Sequence, residues 1–162
     1  MRIILATLWL LVPLGFAAYH YGPGQEQVKL DHTEVFLAQA RSAVQDKHWN
    51  SAIESYQKAL AKLPKENKET SMRIQLEIAK AKMQNSGLPE AREDLAKLVS
   101  QLNEDTTISS ELKEETLSTL DNARYYKTYL MKLEGLPAEE WEPEIEAARQ
   151  EYKLLAQTGS DK

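Results

Sequence analysis

Apolar residues recur at three- and four-residue spacing along most of the chain from Asp31 onward, and this pattern indicates amphipathic helices. The clearest stripe lies in residues 49–63, and Pro64 directly after it is a helix stop. Residues 33–45 carry a second stripe, and only the tripeptide 46–48 separates the two. The pattern therefore predicts an antiparallel helical hairpin. The stripe of residues 49–63 consists of Trp49, Ala52, Ile53, Tyr56, Ala59, Leu60 and Leu63.

Further helices are predicted in the second half of the chain. Residues 72–78 alternate between apolar and polar, as a strand does, but the alternation stops at Ala79 and no hairpin turn supplies a partner strand, so we predict a helix. After it, residues 88–102 form another stripe. A long helix is predicted from Ser109 or Ser110 to about Glu134, where Gly135 and Pro137 end it, and a last helix follows Pro143. The long helix carries one apolar stripe that is predicted to pack: Leu112, Thr116, Leu120, Ala123, Tyr126, Leu130 and Leu133.

The hairpin of residues 33–64 resembles a tetratricopeptide repeat. The residues that carry the resemblance are Ala40, Trp49, Ala52, Tyr56, Ala59 and Pro64, which match the small, aromatic and terminating positions of that family. The likeness is good for 33–64, fair for 72–103 and poor for 110–157. The matching small residues Ala52, Ala91 and Ala148 are 39 and 57 positions apart, against a family period of about 34, so the repeats are irregular.

The resemblance implies an all-α fold, a right-handed α-solenoid of about three irregular hairpins over residues 31–157. It also implies a groove, lined by the first helix of each hairpin, that binds a partner peptide or helix. On those helices five residues are not assigned to packing and are the predicted partner-binding residues: Leu37, Arg41, Asn122, Tyr125 and Tyr129. Tyr125 and Tyr129 share a helix face. Leu37 and Ala38 stand where a chaperone-tail clamp would need polar residues.

The N-terminal residues 1–21 are read as a membrane anchor or a signal peptide. Arg2 precedes an uncharged stretch, residues 3–18, and Tyr19 and Tyr21 suit a membrane interface. Small residues at Gly15 and Ala17 would permit cleavage after Ala17, so both interpretations stay open. Both predict a bacterial inner-membrane or periplasmic location, with residues 31–157 on the periplasmic side. Residues 22–30 are read as a linker and residues 158–162 as a disordered tail.

The composition limits the kinds of partner and of catalytic or metal site that the chain can have. The formal charge of −5 argues against a nucleic-acid partner, and the absence of cysteine excludes disulfides, thiol catalysis and cysteine-ligated zinc. His20, His32 and His48 show no metal-ligand spacing, and no nucleophile or phosphate-binding motif occurs. We therefore expect no catalytic residue, no metal, no cofactor and no small-molecule substrate.

The sequence thus predicts a non-catalytic protein-interaction or scaffold domain that is tethered to the membrane. The alternative is a structural subunit of a membrane-associated complex, or a helical protein that associates with itself.

Overall fold

The computed structural model describes residue 9, residues 12–13 and residues 23–159, and the last of these ranges contains six helices and no strand. The prediction of an all-α fold is therefore confirmed for the described part of the chain. The helices are α1 (Pro23–Gln45), α2 (Trp49–Lys62), α3 (Lys68–Gln84), α4 (Leu88–Glu104), α5 (Ser110–Leu133) and α6 (Ala138–Gly159).

Each helix packs against the next one in the chain, and α3 also contacts α5. Short connections of three or four residues join α1 to α2, α3 to α4, and α5 to α6. Connections of this length place consecutive helices side by side. The described chain is thus a series of three helical hairpins, and the first helix of the second hairpin lies next to the first helix of the third.

Helix α3 lies between two apolar cores, and this explains its strand-like sequence. Its residues Ile74 and Ile78 pack with α1 and α2 in one core, whereas Leu76 and Ala79 pack with α4 and α5 in the other. Residues four apart share one helix face, and residues two apart lie on different faces. An alternating run therefore covers two sides of a helix, and the prediction of helix over residues 72–83 is confirmed.

A left-handed residue lies two positions after the end of the first helix of each hairpin: Lys47 at φ 58°, Ser86 at φ 61° and Gly135 at φ 76°. In each turn the amide of the following residue reaches back to the helix. His48 N donates to Ala43 O at 2.8 Å, and Leu136 N donates to Met131 O at 3.0 Å. These bonds satisfy helix carbonyls that would otherwise lack a partner. The three hairpin turns are therefore built in the same way.

Two helices begin earlier than the sequence predicted. Helix α1 begins at Pro23 instead of Asp31, so residues 23–30 of the predicted linker are helical. Proline suits the first helical position, because its missing N–H has no partner there in any case. Helix α6 begins at Ala138, and Pro143 lies inside it. In the second turn this proline removes one backbone hydrogen bond without ending the helix.

The proposed equivalence of Ala148 with Ala52 and Ala91 does not fit the structure. Ala52 and Ala91 each follow the left-handed residue of their turn by five positions and are fully buried. Ala148 follows Gly135 by thirteen positions and is half-buried. The third hairpin therefore lacks the small residue at this position, where Glu140 is exposed instead.

The predicted membrane segment, residues 1–21, lies almost wholly outside the described residues, as does the end of the predicted tail, residues 160–162. In the part of the chain that the structure describes, no helix has the length and apolar character needed to cross a membrane. The predicted domain boundaries, including the start of the repeat domain, stay predictions.

Candidate functional site

Helix α5 is longer than the helices it packs against. Its 24 residues span about 36 Å, whereas the 17 residues of α3 or α4 span about 25 Å. The predicted stripe of α5 therefore divides into two parts. Its first members are buried: Leu112, Thr116, Leu120 and Ala123. Its last members were predicted to pack too but are exposed: Tyr126, Leu130 and Leu133.

The second half of α5 presents a continuous group of large exposed side chains, which we call the α5 apolar surface. Its members and their exposed fractions are Tyr125 (68%), Tyr126 (55%), Tyr129 (52%), Leu130 (47%) and Leu133 (67%). The rings of Tyr125 and Tyr126 meet edge to face, with centroids 5.8 Å apart. Contiguous apolar patches of this kind are uncommon on soluble proteins and mark interaction sites.

One side of this surface borders a cleft of about 540 Å³ between α5 and α6, the α5–α6 cleft. Three predicted binding residues, Asn122, Tyr125 and Tyr129, line it together, and Ile145 and Ala148 of α6 form part of the opposite wall. All three predicted residues are exposed. The structure therefore brings them to one place, with two aromatic rings and one amide facing the same space.

A compact charge cluster holds α6 at the side of this cleft. The Glu144 side chain is only 14% exposed, and its carboxylate lies near three cations from two other helices. Lys127 Nζ is 2.8 Å from it, Arg92 Nη1 is 3.2 Å away and Arg124 Nε is 3.7 Å away. Charge-assisted hydrogen bonds of this kind are the stronger ones in proteins. Glu144 thus links α6 to both α4 and α5.

The described apolar side chains of α6 are only partly buried. None of its described side chains is buried, and Trp141, Ile145 and Ala148 are half-buried. Lys132 Nζ of α5 lies 3.9 Å from the centroid of the Trp141 ring, which adds a cation–π contact. Over residues 138–150, polar and aromatic contacts therefore hold α6 against α4 and α5.

A second cleft of about 770 Å³, the Met83 cleft, lies on the other side of the α5 apolar surface. One wall comes from the α3–α4 turn, with Met83, Leu88 and Pro89. The other comes from α5, with Tyr126 and Leu130. Most of its lining is apolar, and its two charged side chains are Lys127 and Glu134.

The remaining predicted residues, Leu37 and Arg41, line a smaller cleft of about 330 Å³ between α1 and α3, the Arg41 cleft. Leu37 is 6% exposed and packs in the first core, a packing role that the sequence analysis did not assign to it. Burial raises the pKa of Tyr56 in this cleft, and Glu77 adds to the shift while Arg41 opposes it. Arg41 lines this cleft and is itself an exposed residue.

The structure thus places the five predicted binding residues in two clefts, one with Leu37 and Arg41 and one with the three residues of α5. Tyr126, Leu130 and Leu133 were not predicted as site residues, since they continue an apolar stripe that was assigned to the core. The signal that could have identified them is the length of α5, because a helix of 24 residues extends beyond α3 and α4, which have 17 residues each.

The described residues show no arrangement for metal chemistry. No group of three or more His, Asp or Glu side chains among them is placed to hold a metal ion. The clefts offer aromatic, aliphatic and paired charged groups, a chemistry that suits binding to another polypeptide. In comparisons with known proteins, no family model, no curated protein and no solved structure matches the chain.

Proposed function

We propose that the protein is a non-catalytic protein-interaction domain, in which TPR-like helical hairpins bind a peptide or helix of a partner protein. The observation that carries this proposal is the α5 apolar surface, where five large side chains are about half exposed or more on consecutive turns of one helix. Tyrosine is enriched among the residues that dominate binding energies, because it buries a large area and keeps a polar hydroxyl.

The hairpin construction supports the repeat-like part of the proposal. Ala40 and Ala52 are fully buried in one hairpin, and Ala79 and Ala91 take the corresponding places in the next, with the same spacing of twelve residues. Small residues at such positions let helices approach closely. A solenoid-like stack with an extended binding face is the arrangement that we propose from this repetition.

We also propose, from the sequence of residues 1–21 alone, that the domain is tethered to the bacterial inner membrane or exported to the periplasm. The apolar stretch with Arg2 before it supports this location. A tether would raise the concentration of the domain near partners at the same membrane.

The test is capture of partners from the envelope of cells that make the protein, with the full chain as bait. A double variant, Tyr125→Ser with Tyr129→Ser, should reduce capture of a specific partner at least about tenfold, as loss of two hot-spot residues does. The variant Arg41→Ala changes the Arg41 cleft alone, so a comparison of the two variants shows which cleft binds the partner. Both tyrosines are exposed, so an unchanged thermal unfolding curve is the control for folding.

Unchanged capture by the double variant would contradict the proposal for the α5 surface, and loss with Arg41→Ala alone would move the site to the Arg41 cleft. The alternative, a structural subunit that associates with itself, predicts a mass that rises with concentration in sedimentation equilibrium. The double variant would then abolish that rise.

A further inference from the structure

We propose that a second copy of this chain docks along one exposed edge of α5, so that two copies form a dimer with two-fold symmetry. The edge consists of Tyr126, Leu130 and Leu133, which we call the α5 seam. This goes beyond the proposed function, because it concerns a second surface. The tyrosines of the proposed partner site, Tyr125 and Tyr129, line the α5–α6 cleft, and the seam residues do not.

The seam has the spacing with which one helix packs along another. Its three side chains are separated by four and three residues, and their exposed fractions are 55%, 47% and 67%. Apolar residues at alternating spacings of four and three form the contact line of paired helices. About half or more of each of these side chains is left uncovered by the described chain. The seam is therefore a helix-pairing line that is open to a further helix.

The order of residues along the seam matches its own reverse. A dimer with two-fold symmetry uses the same surface on both copies, so an α5 helix laid on the seam of a second copy runs antiparallel to it. With the axis at Leu130, Tyr126 of one copy lies beside Leu133 of the other, because these residues stand four before and three after Leu130. Large apolar side chains thus meet one another along the whole line of about 10 Å.

The charges beside the seam are complementary to themselves under the same symmetry. Lys127 and Glu134 both line the Met83 cleft, and they are seven residues apart on one side of α5. An axis at Leu130 sets Lys127 of each copy opposite Glu134 of the other, whereas a parallel arrangement would bring like charges together. Glu134 is exposed and forms no ion pair with another described residue. Lys127 donates one hydrogen bond to Glu144, and its ammonium group has two further donors.

The apolar area is of the size that a small dimer interface needs. With about 200 Å² for a whole side chain of this size, the exposed fractions of the seam correspond to on the order of 300–350 Å². The adjoining Met83 cleft adds the half-buried side chains Met83 and Leu88. Small stable interfaces bury about 600 Å² on each partner, and roughly 400 Å² of this is apolar in homodimers. The seam and the cleft together are of this order.

The absence of cysteine from the chain makes a disulfide test specific. Single-cysteine variants of the full chain are purified in a mild detergent, oxidised with copper phenanthroline and separated by mass without reductant. A cysteine at the two-fold axis meets its own copy, whereas a cysteine away from the axis meets a different position. We therefore compare Leu130→Cys alone with a mixture of Tyr126→Cys and Leu133→Cys chains that carry different affinity tags. The control is Val35→Cys, at an exposed apolar position of α1.

We expect Leu130→Cys to form a linked species of twice the chain mass, in at least about fivefold higher yield than Val35→Cys. The mixture should form a species with both tags in excess over the dimer of either variant alone. Adding Glu134→Lys to Leu130→Cys should lower the yield about threefold or more, because Lys127 would then face a cation. Adding Glu139→Lys instead makes the same change of charge at an exposed position of α6 and should leave the yield unchanged.

Equal yields from Leu130→Cys and Val35→Cys would overturn the proposal, and so would equal effects of the two lysine substitutions. The double variant Tyr125→Ser with Tyr129→Ser should leave the yield of Leu130→Cys unchanged. A loss there would place the contact between copies at the α5–α6 cleft and would also overturn the proposal.

The dimer and the proposed function fail separately. If the cysteine variants stay monomeric while the tyrosine double variant loses its partner protein, the dimer is rejected and the proposed function stands. If Leu130→Cys gives the linked dimer while the tyrosine double variant captures its partner as before, the dimer stands and the proposed partner site on α5 is rejected.

Discussion

Glu144 of α6 accepts a hydrogen bond from Lys127 of α5, with 2.8 Å between Oε1 and Nζ. This contact, with those from Arg92 and Arg124, makes one carboxylate the centre of the α4–α5–α6 junction. Among the described side chains of α6, those of residues 138–150 and 153, none is fully buried, and this cluster is the contact that ties them to both α4 and α5.

Neutralising this carboxylate should therefore loosen α6. We expect Glu144→Gln to lower the free energy of unfolding by about 2 kcal/mol, since three cations would lose their shared partner in a partly buried place. Amide hydrogen exchange should rise most in residues 138–150. Glu142→Gln, an exposed carboxylate on the same helix, is the control and should change little. Equal effects of the two changes would contradict the role of Glu144.

The left-handed conformations of Lys47 and Gly135 predict that substitutions at these two positions have opposite effects on stability. Lys47 adopts φ 58°, a conformation that costs a residue with a Cβ about 1 kcal/mol relative to glycine. Lys47→Gly should therefore stabilise the protein by roughly 0.5–1 kcal/mol in urea unfolding. Gly135→Ala should destabilise it by about 1 kcal/mol, although no atom lies within 4 Å of the added Cβ. A destabilising Lys47→Gly would argue against the common construction of these turns.

In the connection between α4 and α5, we expect the carboxyl group of Asp105 to have a lowered pKa. Hydrogen bonds from the Thr107 hydroxyl and amide, with Lys68 nearby, lower the pKa of Asp105 from 3.8 to about 2. A lowered pKa in the folded state means that the contribution to stability is complete above pH 3.8 and is lost as the pH falls towards 2. In carboxyl-carbon NMR titrations, Thr107→Val should move this pKa upward. An Asp105 pKa near 3.8 in the unaltered protein would contradict the hydrogen bonds.

Close packing of α1 on α2 predicts a steric effect at Ala52, which is fully buried. Ala52→Leu should cost about 2–3 kcal/mol of stability, because the added atoms have no space between the helices. Ala61 lies on the same helix but is exposed, so Ala61→Leu should change stability by less than about 0.5 kcal/mol. Similar losses in denaturant unfolding of the two variants would show that Ala52 is not at a tight contact.

Helices were predicted well from the sequence where one apolar stripe packs against one neighbouring helix. The limits of α2 followed from the stripe and from Pro64, and the end of α5 followed from Gly135 and Pro137. The alternation in α3 became clear only with the structure, because two cores on different sides of one helix produce a period of two. Periodicity identifies the apolar face of a helix, but it does not show how many neighbouring helices cover that face.

The candidate site was predicted in part for the same reason. Asn122, Tyr125 and Tyr129 lie together in one cleft, as helical spacing suggests. Leu130 and Leu133 were assigned to packing because they continue the stripe of Leu112 and Leu120. Their exposure depends on where α3 and α4 end relative to α5, which is a tertiary relationship that local spacing does not contain. Leu37 shows the reverse case, since the core that buries it includes Ile74 and Ile78 of α3, which are distant in sequence.

The central claim is that the second half of α5 contacts a partner protein, and site-specific photocrosslinking in intact cells tests it most directly. A photoreactive phenylalanine analogue is placed at Tyr125 or Tyr129, and, as controls, at the exposed positions Gln57 and Lys97. We predict one discrete crosslinked product, the same from both α5 positions and absent from both controls, with a mass that exceeds that of the protein by one partner. Products of equal yield at all four positions, or a product from the controls alone, would contradict the account.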